Sequence, residues 1–211
     1  MTEELEQYIL AHIDAEPDDL SRLYRDTHLH LVFPHMCSGH LQGRVLKMLV
    51  RMIRPQRVLE LGTYSGYSAL CMAEGLCDDS CFVDTIEIND EMEAFIRTHL
   101  AASPVGHRVR LHIGRAEEVL PTLDGMFDMA YIDANKRDYV DYYEMVLPRV
   151  RPGGFIIVDN TLWDGKVTDG KDHHDALIEG VRAFNDHVAH DSRVEKVILP
   201  LCDGLTLMRV Q

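Results

Sequence analysis

Residues 57–70, RVLELGTYSGYSAL, combine a short apolar strand, a turn with two glycines and the start of a helix. Gly62 and Gly66 allow the backbone to turn tightly and to approach a ligand closely. A helix that begins at Gly66–Ser68 would present free N–H groups and the positive end of its dipole, which suits a carboxylate or a phosphate. The G-x-x-x-G spacing differs from the G-x-G-x-x-G of pyrophosphate-binding turns. The stretch therefore predicts a ligand-binding turn between a strand and a helix.

The same alternation of strands and helices continues along the rest of the chain. Short apolar runs predict strands, and apolar residues at helical spacing separate most of them. The predicted strands are Arg57–Leu61, Phe82–Ile86, Val109–Ile113, Phe127–Ile132, Gly154–Val158, Val194–Leu199 and Leu205–Val210. This alternation predicts an α/β fold, with a parallel sheet that helices cover on both faces. Ligands of such sheets bind at the carboxyl ends of the strands.

The N-terminal part reads as helical, and its third helix is expected to begin near Ser38 as the N-cap. The length of 211 residues fits one domain with a full core. We expect a single domain over residues 1–211, with a helical N-terminal cap at 1–54 and the α/β core at 55–211.

Composition argues against several functional classes. Lys and Arg number 21 against 35 Asp and Glu, a formal charge of −14, and no basic stripe occurs, so nucleic acid is not an expected partner. No apolar run approaches the roughly 18–20 residues that cross a bilayer. The N-terminus lacks a signal-peptide pattern, and the five cysteines include no C-x-x-C pair, so we expect reduced thiols in a cytoplasmic protein. A zinc site from Cys71, Cys77 and Cys81 is the less favoured alternative.

Polar residues follow the second and third predicted strands. An acidic residue after the second strand, about 20 residues beyond a glycine turn, binds ribose hydroxyls in nucleotide-binding folds. Glu87 occupies this position, so ribose binding is favoured over a role at the next helix N-terminus. Residues 114–117, GRAE, fit an adenine edge, although a simple helix start explains them almost as well.

The fourth and fifth predicted strands end in Asp133 and in Asp159-Asn160. Adjacent parallel strands would bring these residues together, and their oxygens are the hard ligands that Mg²⁺, Mn²⁺ or Ca²⁺ prefer. The alternative is that Asp133 caps a helix and that Asp159-Asn160 forms an Asx-turn. Beside a nucleoside-type pocket, the metal site is the favoured prediction.

Several motifs, in this order, resemble the metal-dependent small-molecule O-methyltransferases that use S-adenosylmethionine, the group of the catechol and caffeoyl-CoA O-methyltransferases and their bacterial relatives. The motifs are VLELGTYSGYSAL, IEIND, GRAEEVLPTL, YIDANKRDY and PGGFIIVDNTLWDGKV. The likeness runs from about Met36 to the C-terminus. It implies a Rossmann-like three-layer sandwich with extra N-terminal helices and a seven-stranded, mostly parallel sheet of order 3-2-1-4-5-7-6, with strand 7 antiparallel. It also implies a homodimer.

The resemblance further implies roles for individual residues. Cofactor binding is implied for Met36, Glu60, Gly62, Tyr64, Gly66, Ser68, Glu87, Ala116, Glu117 and Asp133. Metal binding is implied for Asp133, Asp159 and Asn160. Lys136 falls where the catechol enzymes keep their general-base lysine, so catalytic roles are implied for Lys136 and Asp133, and Lys136 is also expected to contact the substrate. Trp163 lies three residues after Asn160. It either lines the acceptor site and stacks on an aromatic ring, or only packs against other side chains.

We therefore predict an enzyme that moves the methyl group of S-adenosylmethionine to a hydroxyl of a catechol-like or other vicinal-hydroxyl phenolic molecule. A divalent cation, Mg²⁺ before Mn²⁺ or Ca²⁺, would stabilise and orient the oxyanion, and Lys136 would accept its proton. Alternatives are a nicotinamide-dependent oxidoreductase, which the missing third glycine argues against, and a non-catalytic S-adenosylmethionine-binding protein. The sequence leaves open the acceptor and the roles of His35–His40 and of His173-His174.

Overall fold

The computed structural model describes residues 2–169 and 175–211, so His173 and His174 lie outside the described residues. The strands are β1 (Arg57–Leu61), β2 (Phe82–Glu87), β3 (Val109–Ile113), β4 (Phe127–Ile132), β5 (Val150–Val158), β6 (Val194–Leu199) and β7 (Leu205–Val210). The α-helices are α1 (Glu3–Leu10), α2 (Asp18–His30), α3 (Gly39–Ile53), α4 (Tyr67–Gly75), α5 (Glu93–Ala102), α6 (Ala116–Val119), α7 (Tyr139–Val146) and α8 (Ala176–Ala189). No helix among these residues is both long and apolar enough to span a bilayer.

The strands form one sheet in the order β3-β2-β1-β4-β5-β7-β6. The pairs β2–β3, β1–β4 and β4–β5 are parallel, whereas β7 runs antiparallel to both β5 and β6. The predicted strand order and the antiparallel strand are both confirmed. The sheet therefore directs the ends of β1, β4 and β5 to the same edge, as an open α/β sheet requires.

Contacts divide the chain into two compact units. The first comprises Met1–Gln56 and Thr63–Gly114, and the second comprises Arg57–Gly62 and Arg115–Gln211. The expectation of a single domain concerns the whole chain and stays a prediction.

Each unit has its own apolar core. Fully buried side chains of the first unit come from α2, α3 and α4, and those of the second come from β4, β5, α7 and α8. Examples are Leu20, Leu23, Leu46, Val50 and Leu70 in the first unit, and Phe127, Met129, Ile156, Val181 and Phe184 in the second. Burial of one such side chain stabilises the fold by about 1.5–3 kcal/mol.

Predicted details at three element boundaries differ from the structure, and the smallest difference is at β2, which ends at Glu87 rather than at Ile86. Helix α3 begins at Gly39, directly after Ser38 as expected, but the Ser38 backbone is already helical (φ −58°, ψ −31°) and its side chain makes no cap hydrogen bond, so only the side-chain cap was predicted wrongly. Strand β5 begins at Val150 rather than at Gly154. Its first part contains Pro152 and Gly153, which resemble a turn in sequence, and the register with β4 shifts there.

Candidate active site

The carboxyl ends of β4 and β5 place Asp133 beside Asp159. Ile132 and Val158 are partners in the parallel register, and the Asp159 N–H donates to the Ile132 carbonyl oxygen at 3.0 Å. The Asp133 N–H donates in the other direction, to the Leu61 carbonyl oxygen of β1 at 2.9 Å. Asp133 and Asp159 thus follow neighbouring strand ends of the second unit, as the strand pattern predicts.

The side chain of Asp159 is buried, at 2% exposure, and is held by hydrogen bonds. Its Oδ1 accepts from the Asn160 N–H at 2.7 Å, and its Oδ2 accepts from the Tyr131 hydroxyl at 2.7 Å. The Tyr139 hydroxyl donates to the Asp159 carbonyl oxygen at 3.0 Å. Burial, followed by the charges of Asp159 and Asp133, raises the pKa of the Tyr131 phenol well above its usual range. Tyr131 is therefore a hydrogen-bond donor to this carboxylate.

Lys136 pairs with the second carboxylate. Its Nζ lies 2.6 Å from Asp133 Oδ1, and the lysine and aspartate side chains are 14% and 19% exposed. The same Nζ lies 5.5 Å from the Tyr139 ring centroid and 6.0 Å from the Trp163 ring centroid. Lys136 therefore faces a half-buried group of polar and aromatic side chains rather than open solvent.

The turn after β5 has unusual backbone geometry. Asn160, Trp163 and Asp164 adopt positive φ angles of 55°, 46° and 53°. Asparagine and aspartate tolerate this left-handed region better than most residues, whereas tryptophan is rarely found there. Hydrogen bonds to the segment that precedes β7 hold the turn, because the Thr161 N–H donates to the Gly204 carbonyl oxygen at 3.0 Å. The second unit thus keeps Asn160 and Trp163 in a defined arrangement close to Asp159.

The purely local alternatives for the two aspartates do not match the structure. The cap of the turn at Lys136–Asp138 is Asn135, whose side-chain oxygen accepts from the Arg137 N–H at 3.4 Å, and not Asp133. Asp159 Oδ1 accepts from the adjacent Asn160 N–H, whereas an Asx-turn bonds to the N–H two residues on. A buried carboxylate is costly unless it is paired or binds a metal. Two carboxylates with a neighbouring amide oxygen are a donor set that fits a hard divalent cation.

The glycine at the end of β1 is required by its neighbours in the second unit. Gly62 has a φ of 95°, and a β-carbon on it would overlap the Asp133 carbonyl oxygen. Glu60 is buried in β1, where it is the register partner of Tyr131 in β4. Any larger residue at position 62 would therefore displace the backbone that carries Asp133.

The first unit holds the rest of the glycine turn. Tyr64 has a φ of 48°, and its N–H donates to Glu87 Oε2 at 2.7 Å. Glu87 is buried, and its Oε1 accepts from the Asn89 N–H at 2.9 Å. Gly66 has a φ of 89° and precedes α4, where Ser68 is buried. Glu87, the residue predicted to bind ribose, thus also holds the backbone of the glycine turn at Tyr64. The sequence analysis did not predict this contact.

The remaining predicted cofactor residues are more exposed. Met36 lies in the short turn Pro34–Met36 of the first unit and is 52% exposed. Ala116 and Glu117 begin α6 in the second unit, where Glu117 forms an ion pair with Arg115 at 2.5 Å. The structure brings Asp133, Asp159, Asn160, Lys136 and Trp163 together in the second unit, and Tyr64 and Glu87 together in the first. The roles of these residues stay predictions.

A second acidic group lies outside this region. Within the described part of the chain, ligand atoms of Glu144, His187 and Asp191 lie within 4.8 Å of one another. Arg193 donates to Glu144 Oε2 at 3.0 Å and to Asp191 Oδ2 at 2.6 Å. These hydrogen bonds lower the pKa of the Asp191 carboxyl below its usual range. The guanidinium bridges both carboxylates, so we assign this cluster a structural role.

Comparisons with known proteins reveal extensive likeness. A family profile described as O-methyltransferase matches residues 11–211. Caffeoyl-CoA O-methyltransferase 2 of Zea mays is 35% identical over 99% of this chain and 83% of that protein. Catechol O-methyltransferase of Niastella koreensis is 32% identical over 81% of this chain and 80% of that protein.

Solved structures agree in fold over the same length. The O-methyltransferase TomG of Streptomyces achromogenes, solved with SAM, has a TM-score of 0.91 and 34% identity, with 100% of both chains covered. The O-methyltransferase of Bacillus cereus, solved with SAH, has a TM-score of 0.90 and 26% identity, over 99% of this chain and 97% of that one. The similarity thus extends over nearly the whole chain, in sequence and in fold.

Proposed function

The chain belongs to the O-methyltransferase family and is an S-adenosylmethionine-dependent enzyme, and from this premise we propose a metal-dependent methyl transfer to a phenolic hydroxyl. The acceptor is a catechol-like or other vicinal-hydroxyl small molecule. The divalent cation is Mg²⁺, with Mn²⁺ and Ca²⁺ as alternatives. Membership of this family excludes the nicotinamide-dependent oxidoreductase, which was one of the alternatives that the sequence left open.

One observation carries the proposal: two aspartates follow the ends of neighbouring strands, and a lysine contacts one of them. Asp133 and Asp159 follow register partners on β4 and β5, and Lys136 Nζ lies 2.6 Å from Asp133. Asp133, Asp159 and Asn160 would hold the cation, because all three offer oxygen donors. The lysine that we propose as the proton acceptor therefore lies directly beside the proposed cation ligands.

The chain's own residues would contribute positioning and proton transfer. A bound divalent cation supplies Lewis-acid stabilisation of the substrate oxyanion. Lys136 would take the proton of the reacting hydroxyl at Nζ once the amine has given up the proton that it donates to Asp133. S-adenosylmethionine, held by the proposed cofactor residues, would supply the methyl group to this oxygen. The electron pair of the broken carbon–sulfur bond would stay on sulfur, which gives S-adenosylhomocysteine. Trp163 would pack against the aromatic ring of the acceptor and exclude water.

The names of the relatives support the class of acceptor. The Zea mays protein is named for caffeoyl-CoA and the Niastella koreensis protein for catechol. We propose the feature that a caffeoyl group and catechol share, two adjacent aromatic hydroxyls, as the acceptor of this chain. Two adjacent oxygens suit a single cation that binds both.

A radiolabelled-methyl assay over matched phenols tests this proposal. We expect methylation of catechol-type acceptors but not of the corresponding monophenols, since only the former would offer two adjacent oxygens to the proposed cation. A chelator should remove the activity, and added Mg²⁺ should restore it. Chelator-resistant methylation would overturn the metal dependence. Cofactor binding without transfer to any acceptor would favour the non-catalytic alternative.

For cofactor binding we propose the residues that the sequence singled out, with Glu87 at the ribose hydroxyls. Its two carboxylate oxygens each accept one backbone N–H, from Tyr64 and from Asn89. Each oxygen keeps a further lone pair that can accept a hydroxyl proton. The buried position would make such charge-assisted hydrogen bonds strong.

Replacement Glu87→Ala should weaken S-adenosylhomocysteine binding by about 10- to 100-fold, because hydrogen bonds to a charged group contribute about 1.5–3 kcal/mol. Isothermal titration measures this affinity. Glu91→Ala, which removes a carboxylate at an exposed position nearby, serves as the control and should bind as the wild type does. If Glu87→Ala loses thermal stability but keeps cofactor affinity, Glu87 only supports the Tyr64 backbone.

The assembly and location also remain proposals. We propose that residues 1–211 act as one methyltransferase domain, which the match over residues 11–211 supports. The homodimer and the cytoplasmic location rest on the sequence alone. Light scattering of the purified protein would test the dimer.

A further inference from the structure

The carboxylate of Asp159 receives a hydrogen bond from a residue that the family resemblance did not single out. Tyr131 is fully buried, and its hydroxyl lies 2.7 Å from Asp159 Oδ2. The opposite oxygen, Oδ1, is bound to the Asn160 N–H. The two donors approach different oxygens, so together they restrict rotation of the carboxylate about its last side-chain bond.

Strand geometry explains how Tyr131 reaches this position. Side chains two residues apart on a strand point to the same face, so Tyr131 lies one pleat before Asp133 on the same side of β4. Its register partner on β5 is Ile157, two residues before Asp159. The contact from Tyr131 to Asp159 therefore runs diagonally across two neighbouring strands, a separation that an aromatic side chain can bridge.

We propose that Tyr131 is a positioning residue for the divalent cation: its hydroxyl fixes the orientation in which the Asp159 carboxylate faces the cation. The inference rests on the proposed metal dependence. Hydrogen-bonded partners of ligating carboxylates orient them before the metal arrives. Without the hydroxyl, Asp159 must give up rotational freedom when it binds the cation, and metal affinity falls.

A purely structural role for Tyr131 makes a different prediction, and Tyr139 provides the matched comparison. Tyr139 is also fully buried, and its hydroxyl also donates to Asp159, but to the backbone carbonyl oxygen at 3.0 Å. Tyr131→Phe and Tyr139→Phe each remove one buried hydroxyl bound to the same residue. Only the first removes a donor to the carboxylate. If the hydroxyls merely satisfy buried polar groups, the two variants should behave alike towards metal.

The experiment titrates metal-free wild type, Tyr131→Phe and Tyr139→Phe with Mn²⁺ in the presence of S-adenosylhomocysteine. The six-line electron paramagnetic resonance signal of free Mn²⁺ reports binding independently of turnover, and thermal unfolding without metal reports stability. We expect Tyr131→Phe to bind Mn²⁺ about 10- to 100-fold more weakly than wild type. Tyr139→Phe should bind as wild type does, while both variants unfold at similarly lowered temperatures.

Each other outcome overturns the proposal in a recognisable way. Equal or tighter Mn²⁺ binding by Tyr131→Phe means that the hydroxyl does not orient Asp159 for the cation. Equal weakening in both variants means that general loosening of the buried region is responsible. If wild type itself binds no Mn²⁺, the proposed metal dependence fails, and the role of Tyr131 falls with it.

Discussion

Replacement of Asp159 by alanine is expected to abolish metal-dependent methyl transfer while S-adenosylhomocysteine binds essentially as in wild type. Lewis-acid stabilisation by a divalent cation is worth several kcal/mol, so turnover should fall by about 10³-fold or more. Asp159 is buried and lies beside Asp133 at the strand ends of the second unit. The methyl-transfer assay at saturating Mg²⁺ and calorimetric titration of the cofactor product provide the two measurements.

Two further variants make this result specific. Asp159→Asn keeps the shape of the side chain and should retain the fold while losing the charge that binds the cation. Asp141→Ala removes an exposed aspartate on α7 and should leave turnover unchanged. Thermal unfolding must accompany the assay, because alanine leaves the Tyr131 hydroxyl and the Asn160 N–H without this acceptor, at a cost of about 1–3 kcal/mol. Undiminished turnover in a folded Asp159→Ala variant would refute the metal assignment.

Replacement of Lys136 by alanine is expected to lower kcat by about 10²- to 10⁴-fold, the usual contribution of a general base. The lysine Nζ lies 2.6 Å from Asp133 Oδ1, so the variant removes an ion pair as well as the base. Lys136→Arg separates the two effects, because a guanidinium can pair with Asp133 but does not accept a proton at neutral pH. We expect the arginine variant to be as inactive as the alanine variant.

Metal affinity and a second, exposed lysine complete the test of Lys136. Lys166→Ala, at an exposed lysine of the segment Trp163–Thr168, should retain full activity. Titration with Mn²⁺ shows whether loss of Lys136 disturbs the cation. If Lys136→Arg restores activity, or if the loss in Lys136→Ala follows weaker metal binding alone, the residue holds Asp133 and is not the base.

The strand pattern of this chain was readable from local sequence. The limits of β1, β3, β4, β6 and β7 agree with the predicted limits, because each is a short apolar run bounded by polar or turn residues. β5 was predicted too short, since Pro152 and Gly153 resemble a turn, whereas the structure accommodates them in the irregular first part of the strand. The Ser38 cap failed because serine caps a helix only when its own backbone is extended, and here it is already helical.

Only part of the geometry of the site could be predicted from the sequence. The sequence placed Asp133, Asp159 and Asn160 at strand ends, because a strand end is a local feature. It did not reveal that Tyr131 and Tyr139 bind Asp159, although Tyr131 lies two residues before Asp133 on the same strand. In a buried strand both faces are apolar, so alternation does not distinguish a tyrosine that packs from one that donates.

The sequence by itself determined the order of strands and helices, the family and the candidate residues at the strand ends, because periodic apolar runs and short motifs are local properties of the chain. Only the tertiary structure decided which groups those residues meet. The contact from Tyr131 to Asp159 and that from the Tyr64 N–H to Glu87 join segments far apart in sequence. Such contacts depend on strand register and on left-handed backbone positions at Tyr64 and Asn160, which packing of the folded chain imposes.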